Sequence, residues 1–358
     1  MPEKVMVAMS GGVDSSVAAS LLAEEGYDVC GVTLKLFSNE DIGLDSVLRT
    51  CCSLSDVGDA RNVAYKLDID HYVFNFGDAF NRDVIRRFAD AYIAGRTPNP
   101  CIDCNRFIKF DKLLERALLM GRDYIATGHY VRTAYDEETG RYLLKKARDA
   151  SKDQTYVLYA LTQEQLSRTL FPLGGLTKNE VRSLAETRGL INAKKPDSQD
   201  ICFVPDGDYA AFIEDVLGYK SEPGDFVDSA GKVLGTHKGL IHYTIGQRRG
   251  LGLSADRPKY VLGKDARANT VIIGNEEELY RISMSVDNLN LISVSHLTEP
   301  VRAAVKTRYS QKETQATLYP PEDGRMLVLF DHPQRAITPG QAAVFYDGDT
   351  VLGGGTII

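Results

Sequence analysis

The first 200 residues alternate short apolar segments with segments of helical periodicity, and this alternation limits the possible folds more than any other feature of the chain. The apolar segments are rich in β-branched and aromatic residues; they are residues 4–9, 28–37, 71–76 and 123–130. Between them, residues 16–26 and 57–69 carry apolar side chains at helical spacing. Apolar strands joined through helices are typical of a parallel sheet that is covered on both faces. The pattern therefore predicts a doubly wound α/β domain.

The pattern changes near residue 205. Later segments are short and alternating, and Gly, Pro and Asp-Gly turns bound them, as in sheets that close into small barrels. At 358 residues the chain is long enough for two or three packed cores. We therefore expect an α/β domain over residues 1–204, a central small β domain over 205–280 and a C-terminal β-barrel over 281–358.

Composition and charge exclude some classes of protein. Hydrophobic residues make up 43% and charged residues 25%, as in globular proteins, and no apolar run approaches the ~20 residues that span a bilayer. The N-terminus shows no signal peptide, so we expect a cytoplasmic protein without a membrane partner. In that compartment the six cysteines are expected to be thiols, metal ligands or catalysts. The net charge of -7 gives no general basic surface, so an RNA partner would depend on local charge and on shape.

The motif SGGVDSS, residues 10–16, directly follows the first predicted strand and opens a helix. A glycine-rich turn at that position directs backbone N–H groups and the positive end of the helix dipole to one point, where a phosphate binds. Gly11 and Gly12 allow close approach, and Asp14 is a candidate magnesium ligand. Hydroxyl groups are available on Ser10, Ser15 and Ser16. Neither the lysine of GxxxxGK[ST] nor the pattern GxGxxG is present.

The stretch TPNPCIDCNRFIKF carries Cys101 and Cys104 where a proline-rich loop meets a helical pattern. Asn105 is the expected cap of that helix. A thiol at a helix N-terminus, with Arg106 and Lys109 close by, should have a lowered pKa and a larger thiolate fraction. Such a thiol would be ready to attack an electrophile.

The other cysteines divide into two groups. Cys202 lies in DSQDICFVPDGD, a loop-like segment rich in acids and turn formers, and is the third candidate for chemistry. Cys30 lies within a predicted strand and is interpreted as a small buried hydrophobe. Cys51 and Cys52 are interpreted in the same way. From the residues alone, the three loop cysteines could be a redox pair, part of a metal site, or a nucleophile with a helper.

The phosphate loop is similar to that of the PP-loop ATP pyrophosphatases, which split ATP between the α and β phosphates and transfer AMP to a substrate oxygen. With it, seven further stretches in order resemble the tRNA-specific 2-thiouridylases and cover nearly the whole chain. These are TPNPCIDCNRFIKF, ATGHYVR, SKDQTYVLY, PDSQDICFV, YTIGQRRGLG, KTRYSQ and TPGQAAVFYDGDTVLGGG. The resemblance implies an enzyme that places sulfur on C2 of the wobble uridine of tRNAs of the Lys, Glu and Gln type.

The resemblance also implies roles for individual residues. The expected ATP contacts are Ala8, Met9, Ser10, Gly11, Gly12, Val13, Asp14, Ser15, Leu34 and Gly128. The expected tRNA contacts are Asn99, Pro100 and Cys101 at the target base, together with His129, Lys152, Asp153, Gln154, Arg308, Tyr309 and Gln341. Taken alone, His129 is equally well explained as a core histidine, and Arg308 as a solvated surface charge.

The implied chemistry uses two thiols. Cys104 would be the catalytic thiol, and Cys202 would receive persulfide sulfur from a sulfur carrier or a cysteine desulfurase. ATP, with Mg²⁺, would activate the uracil O2 as an adenylate, and the persulfide would deliver sulfur directly or through Cys104 while AMP departs. If Cys104 attacks the persulfide, a disulfide with Cys202 forms and must be reduced before the next turnover.

One position departs from the family pattern. Many relatives carry Asp at the position of Cys101, where the carboxylate is taken as a general acid or base. Asp103 is near, but a side chain two residues further on is expected to point elsewhere. The exchange instead gives three cysteines, one fewer than the four ligands of a structural zinc site. A [4Fe–4S] cluster held by Cys101, Cys104 and Cys202 would leave one iron open for a sulfide, so the cluster and persulfide routes both stay open.

Two other functions are compatible with the phosphate loop. A ligase or amidotransferase-type synthetase would adenylate another substrate and would need an ammonia source but no cysteine trio. A non-catalytic RNA-binding protein with a relic nucleotide fold would release no AMP.

Overall fold

The structure, a computed structural model, describes residues 1–38, 54–196, 201–254 and 256–358. Cys51 and Cys52 lie outside the described residues. Among the described residues, no helix combines the length and the apolar character needed to cross a membrane.

The N-terminal part is built on a five-stranded parallel sheet. Its strands are β1 (Lys4–Ala8), β2 (Asp28–Lys35), β3 (His71–Asn75), β4 (Tyr124–Ala126) and, after the hairpin β5 (Val131–Asp136) and β6 (Arg141–Lys146), β7 (Thr169–Leu170). The strand order is β3-β2-β1-β4-β7. This confirms the doubly wound prediction, with β7 as the strand that the sequence did not reveal, because two residues are too few to show a periodicity.

Helices cover both faces of this sheet. They are α1 (Val13–Glu24), α2 (Leu54–Lys66), α3 (Gly77–Phe80), α4 (Arg86–Ile93), α5 (Pro100–Asp103), α6 (Leu113–Leu119), α7 (Thr155–Leu158), α8 (Gln163–Ser167), α9 (Lys178–Thr187) and α10 (Tyr209–Ala211). In the part of the chain that the structure describes, π-helical segments continue α3, α5 and α10; they are Asn81–Ile85, Cys104–Lys112 and Phe212–Val216. The central strand β1 is buried on both faces: Met6 packs into one core, and Val5 and Val7 pack into the core on the opposite face.

The central part is a four-stranded sheet. Its strands are β8 (Gly224–Val227), β9 (Val233–His237), β10 (Tyr260–Asp265) and β11 (Thr270–Gly274), in the order β10-β11-β8-β9. Short 3-10 helices at Leu240–His242 and Glu276–Leu279 complete it. Its core has Phe226, Val261 and Val271 at its centre.

The C-terminal part is a closed six-stranded barrel. Its strands are β12 (Tyr280–Leu291), β13 (Val301–Lys306), β14 (Thr314–Leu318), β15 (Met326–Arg335), β16 (Ala342–Asp347) and β17 (Thr350–Ile357). The order β12-β15-β14-β13-β16-β17 closes through pairing of β12 with β17, which confirms the predicted barrel. The domain boundaries stay predictions.

The barrel is joined to the α/β part through backbone pairing. The β5–β6 hairpin lies against β17, where Thr350 pairs with Lys145. Arg141 of the hairpin donates to the carbonyls of Leu291 and Ile292 in the barrel, at 3.1 and 2.8 Å. This attachment joins the barrel to the β5–β6 hairpin of the α/β part.

Candidate active site

The phosphate loop follows β1 and lies against the end of β2. The Met9 N–H donates to the Val32 carbonyl at 2.7 Å, and the Thr33 hydroxyl donates to the Met9 carbonyl at 2.8 Å. Gly11 has a φ of 73°, and a Cβ there would lie 2.4 Å from the Asp56 carbonyl oxygen. Both the left-handed backbone and the lack of space require glycine. Helix α1 then begins at Val13 with Gly12 as its N-cap, so the loop ends at a helix N-terminus, as predicted.

Side chains within the loop stabilise the loop itself. The Ser15 hydroxyl accepts from the Ser10 N–H and donates to the Gly12 carbonyl, both at 3.2 Å. The Ser16 hydroxyl donates to the same carbonyl at 2.9 Å, and Ser16 is fully buried. The hydroxyl group of Ser16 is therefore part of the scaffold, not the ligand donor that the sequence suggested. The side chains of Met9 and Val13 are also buried, so these two residues can contact ATP only through their backbone groups.

Two residues from the far end of the α/β part support the loop from behind. The Asn192 amide donates to the carbonyls of Gly11 and Gly12 at 3.1 and 3.2 Å. The Lys195 ammonium donates to the Gly11 carbonyl at 3.2 Å and forms ion pairs with Asp56 and Asp59. Sequence reasoning missed both residues, since they lie about 180 positions from the loop and no local pattern marks them.

Asp14 is held by a lysine. The Lys178 ammonium lies 2.8 Å from both carboxylate oxygens of Asp14, and the Tyr130 hydroxyl donates to one of them at 2.7 Å. The Lys178 side chain is only 9% exposed. The Lys178 ammonium therefore compensates the charge of the Asp14 carboxylate, and Asp14 as a magnesium ligand stays a prediction.

The two remaining ATP candidates lie next to the loop. A Cβ on Gly128 would lie 2.7 Å from the Ser15 nitrogen and 2.8 Å from the Asp14 carbonyl carbon. Gly128 therefore packs directly on the first turn of α1, where a side chain would not fit. Leu34 lies near the end of β2 and is half-buried. The ATP contacts themselves stay predictions.

The cysteine-bearing helix begins six residues earlier than expected from the sequence, with its cap at Asn99 and not at Asn105. Asn99 is its cap, since the Asn99 side-chain oxygen accepts from the Cys101 N–H at 3.1 Å, and Pro100 is its first residue. Asn105, the expected cap, is instead buried inside the helix and donates to the Val157 carbonyl at 3.1 Å. The Asn105 prediction was wrong: the helix already begins at Pro100, and the Asn105 side chain is buried against Val157.

The earlier start moves Cys104 away from the helix N-terminus into the second turn. Cys104 is the first residue of a π-helical segment, a form often found at functional sites. Burial raises the pKa of its thiol to about 11, although Lys109 acts in the opposite direction. The predicted lowering of this pKa was therefore wrong: in this conformation the thiol is protonated at neutral pH.

Cys104 and Cys202 pack against one apolar core. Cys104 lies in this core with Phe203 and Val204, and the half-buried Cys202 packs against it. The same core contains Leu36 and Phe37, which directly follow β2. The core against which the two cysteines pack therefore includes the residues that follow β2, and Val32 and Thr33 of β2 are hydrogen-bonded to the phosphate loop.

The three cysteines do not form a ligand set. Cys101 is exposed, whereas Cys104 is buried. Within the described ranges, which include all three of these cysteines, no three Cys, His, Asp or Glu side chains lie together as metal ligands. The arrangement does not fit a [4Fe–4S] cluster. Asp103 points to Arg87, at 3.2 Å, and burial raises the pKa of its carboxyl against the influence of Arg87.

Residues 151–154, with the sequence SKDQ, form a turn between β6 and α7. The Asp153 carboxylate accepts from the Ala147 N–H at 3.0 Å and from the Thr155 hydroxyl at 2.6 Å. The Gln154 side-chain oxygen accepts from the Tyr130 N–H at 2.9 Å. These bonds fix local backbone, and the tRNA contacts of Lys152, Asp153 and Gln154 stay predictions.

His129 lies in the interior. It is 8% exposed, its Nδ1 lies 2.8 Å from the Thr127 hydroxyl, and its ring centroid is 5.7 Å from that of Phe110. Burial lowers the pKa of the imidazole well below its usual value, so the ring is neutral. This is the environment of a core histidine, and contact with tRNA stays a prediction.

Arg308 and Tyr309 differ in their surroundings. The Arg308 guanidinium donates to the Ala336 carbonyl and the Thr338 hydroxyl, each at 2.8 Å. The alternative interpretation of Arg308 as a solvated surface charge was therefore wrong. Tyr309 is 45% exposed, with the Lys306 ammonium 6.0 Å from its ring centroid. An exposed aromatic ring beside a cation suits stacking with a nucleobase.

Gln341 connects the barrel to the cysteine loop. Its side-chain nitrogen donates to the Thr97 carbonyl at 2.8 Å, and the Thr97 N–H donates to the Pro339 carbonyl at 2.9 Å. A Cβ on Gly340 would lie 2.9 Å from the Thr97 nitrogen. We call residues 339–341 the barrel latch. It holds the backbone just before Asn99, Pro100 and Cys101.

Comparison with known proteins gives matches along nearly the whole chain. A family profile described as "tRNA methyl transferase HUP domain" matches residues 3–206, one described as "tRNA methyl transferase PRC-barrel domain" matches 210–275, and one described as "Aminomethyltransferase beta-barrel domain" matches 281–357. The chain is 55% identical over 355 residues to "tRNA-specific 2-thiouridylase MnmA" of Acetivibrio thermocellus, covering 99% of both. It is 51% identical over 356 residues to the protein of that name in Lachnoclostridium phytofermentans, again covering 99% of both.

Solved structures are more distant. A 4-thiouridine synthetase in complex with RNA and with bound ATP matches at a TM-score of 0.38 and 18% identity, over 60% of this chain and 50% of that chain. The NMN synthetase of Francisella tularensis matches at a TM-score of 0.36 and 17% identity, over 62% and 79% of the two chains. Scores this low support no functional conclusion.

Proposed function

Because the chain belongs to the tRNA-specific 2-thiouridylase family, we propose that it replaces the C2 oxygen of the wobble uridine of tRNA with sulfur at the expense of ATP. The family makes the chain a tRNA sulfurtransferase, and tRNA is its substrate. We further propose an adenylated base as the activated intermediate, a persulfide as the source of the sulfur, and the residue roles given below.

One observation carries the proposal. The apolar core that contains Cys104, and against which Cys202 packs, also contains Leu36 and Phe37 at the end of β2. The phosphate loop is hydrogen-bonded to Val32 and Thr33 of the same strand. A base activated on ATP at the loop and a sulfur held by the cysteines can therefore meet at one edge of the sheet.

The first step is activation of the base. The loop amides and the N-terminus of α1 bind the phosphates of ATP. The uracil O2 attacks the α-phosphorus, and the bond from that phosphorus to the bridging oxygen of pyrophosphate breaks. The C2–O bond of the adenylated base can now break, because its oxygen leaves as part of AMP; in uracil itself this oxygen is a poor leaving group.

The second step is sulfur transfer. The outer sulfur of a persulfide on Cys202 attacks C2, and AMP leaves with its oxygen. The Cys104 thiolate then attacks the inner sulfur, so the S–S bond breaks, the C2 sulfur is released, and a Cys104–Cys202 disulfide forms. A dithiol reductant must supply two electrons before the next turnover. This route uses two thiols on one core, whereas the cluster route needs a third ligand that Cys101 does not bring to them.

The buried state of Cys104 adds a requirement. With a pKa of about 11, the thiol must lose its proton before it can attack. Rearrangement of the loop that holds Asn99, Pro100 and Cys101 when the target base binds would expose Cys104 and lower this pKa. Cys101 is exposed and lies at the start of the helix, where the target base would lie against it.

The test is a mass balance. Purified protein is incubated with unmodified tRNA, labelled ATP, a cysteine desulfurase with cysteine, and a dithiol. We expect 2-thiouridine at the wobble position by nucleoside mass spectrometry, with one AMP and one pyrophosphate for each thiolated tRNA. Cys202→Ser should lose thiolation but still release pyrophosphate as the adenylated tRNA forms, while Cys30→Ser, a buried cysteine of β2, serves as the matched control.

Two outcomes would contradict the proposal. Formation of ADP instead of AMP would exclude adenylation, and full thiolation by Cys202→Ser would exclude the persulfide route. A wobble base that gains nitrogen instead of sulfur would identify a synthetase.

A further inference from the structure

The motif YTIGQRRGLG lies in the central β part, between the 3-10 helix Leu240–His242 and β10. We call residues 244–252 the arginine turn. Near its two ends, Ile245 and Leu251 are each only 8% exposed and pack into the core of the central sheet. Between these anchors, Arg248 and Arg249 are exposed. The proposed sulfur chemistry makes no use of this motif.

Gln247 stabilises the backbone of the arginine turn. Its side-chain oxygen accepts from the Thr244 N–H, and its side-chain nitrogen donates to the Arg249 carbonyl, both at 3.0 Å. The Gln247 carbonyl also accepts from the Val261 N–H of β10 at 3.0 Å, and the Gly246 N–H donates to the Val261 carbonyl at 2.8 Å. The two arginine side chains therefore extend from a backbone that is bonded on both sides.

The two arginines carry charge that the described residues do not neutralise. Among residues 1–38, 54–196, 201–254 and 256–358, no ion pair involves Arg248 or Arg249. Arg335, whose guanidinium would lie 3.7 Å from a Cβ on Gly246, is by contrast paired with Glu276 at 3.3 Å. Two like charges on adjacent residues repel each other, and an anion from outside the chain would offset this repulsion.

The arginine turn packs against the part of the barrel that leads to the cysteine loop. A Cβ on Gly246 would lie 3.1 Å from the Cβ of Ala336. Pro339, the first residue of the barrel latch, accepts from the Thr97 N–H at 2.9 Å. Because the chain from Ala336 to Pro339 spans at most about 11 Å, the turn lies within roughly 20 Å of Thr97. One RNA stem-loop can therefore contact both the turn and the loop that would meet the target base.

We propose that Arg248 and Arg249 bind the sugar–phosphate backbone of the anticodon arm of tRNA, away from the wobble base, and so fix the position of the arm. The inference rests on the proposed thiolation of tRNA and deepens it. A guanidinium group suits this role because it can donate two parallel hydrogen bonds to one phosphate. The turn would supply the local positive charge that an RNA partner needs on a chain with a net charge of -7.

The proposal predicts a weaker dependence of tRNA affinity on salt. Each phosphate contact contributes about one to the slope of log K against log salt concentration. Arg248→Gln combined with Arg249→Gln should therefore reduce this slope by about two and raise the Kd for tRNA about 10- to 30-fold at physiological salt. Lysine at both positions keeps the charge and should keep most of the slope. Arg267→Gln, in the exposed turn between β10 and β11, is the matched control and should change neither quantity.

The choice of RNA separates a backbone contact from reading of the base. A tRNA with cytidine at the wobble position should lose as much affinity for the double variant as the same tRNA with uridine, because phosphate contacts carry no sequence information. The isolated anticodon stem-loop should show the same loss. In thiolation assays the double variant should have a higher KM for tRNA and an unchanged kcat, since the arginines do not touch the reacting groups.

Titration of the full-length variants with fluorescent tRNA at several salt concentrations measures the slope, and thermal melting confirms that each variant is folded. A slope in the double variant equal to that of the unchanged protein would overturn the proposal. So would a loss of affinity confined to the tRNA with uridine, or a loss that the stem-loop does not show.

Two further outcomes separate this inference from others. Unchanged tRNA affinity, with thiolation lost only when a cysteine desulfurase supplies the sulfur, would assign the arginines to a protein interface and overturn the proposal. If the unchanged protein thiolates tRNA and the double variant has the same KM and slope, the inference fails alone. If the unchanged protein does not bind tRNA, the proposed function fails with it.

Discussion

Cys104 lies inside the protein, at the first residue of a π-helical segment, and burial raises the pKa of its thiol to about 11 from an ordinary value of 9.0. The thiolate fraction at pH 8 is then about one in a thousand. Because the folded state binds this proton more tightly than the unfolded chain, the contribution of the thiol to stability is lost as the pH rises from 9 towards 11. The thiol is stored in its unreactive form.

We expect alkylation of Cys104 by iodoacetamide to be slow at pH 8 and to rise about tenfold for each pH unit as the thiolate forms. Addition of unmodified tRNA with a non-hydrolysable ATP analogue should raise the rate at pH 8. Peptide mass spectrometry measures the rate at each cysteine. Cys30, which burial also protects from ionisation, is the internal control and should not respond to tRNA. Rapid alkylation of Cys104 at pH 8 in the protein alone would contradict the buried state.

At the scale of the element, the phosphate loop depends on one glycine more than on the other. Gly11 combines a φ of 73° with a position where a Cβ would lie 2.4 Å from the Asp56 carbonyl oxygen. Gly12 has a φ of -85°, which any residue adopts, and the nearest atom to its Cβ would be the Ser10 hydroxyl oxygen at 3.4 Å. The two neighbours form a matched pair for mutation.

Gly11→Ala should therefore lower the free energy of unfolding by about 1–3 kcal/mol, from backbone strain and the displaced start of α2. Gly12→Ala should change it by less than ~1 kcal/mol. Urea unfolding of both variants without nucleotide measures the difference. Equal changes in the free energy of unfolding for the two substitutions would show that the left-handed backbone at Gly11 does not require glycine.

At the scale of the whole molecule, the barrel supports the loop that would meet the target base. The barrel latch, residues 339–341, binds the backbone at Thr97 through Gln341 and Pro339. Arg308 fixes the start of the same turn by donating to the carbonyl of Ala336 and the hydroxyl of Thr338. A tRNA that contacts the barrel can thus influence the cysteine loop through the backbone.

Gln341→Ala should reduce kcat for thiolation by about tenfold, the effect of one lost hydrogen bond of this kind, while ATP affinity is unchanged. Hydrogen exchange of residues 96–101 should become faster. Gln315→Ala, an exposed glutamine on β14, is the control and should alter neither quantity. An unchanged kcat with faster exchange would mean that the latch orders the loop without contributing to the reaction.

Three local features were sufficient to predict the fold class. They are the alternation of strands and helices, the motif SGGVDSS after the first strand, and the barrel-like pattern at the end of the chain. These signals are local, because strand and helix periodicities and a glycine turn are set by neighbouring residues. The misplaced helix cap at Asn105 was also a local inference, and it failed because burial of that side chain against Val157 depends on a segment 52 positions away.

The sequence alone indicated a phosphate loop and three cysteines suited to chemistry, and the resemblance of its motifs indicated what they serve. Only the tertiary structure decided that Cys104 is buried, that Arg308 binds carbonyl groups, and that Lys178 and Lys195 reach the loop. The physical reason is that burial and ion pairing depend on which distant residues meet, and that is fixed by packing of whole elements and not by the identity of neighbours in the chain.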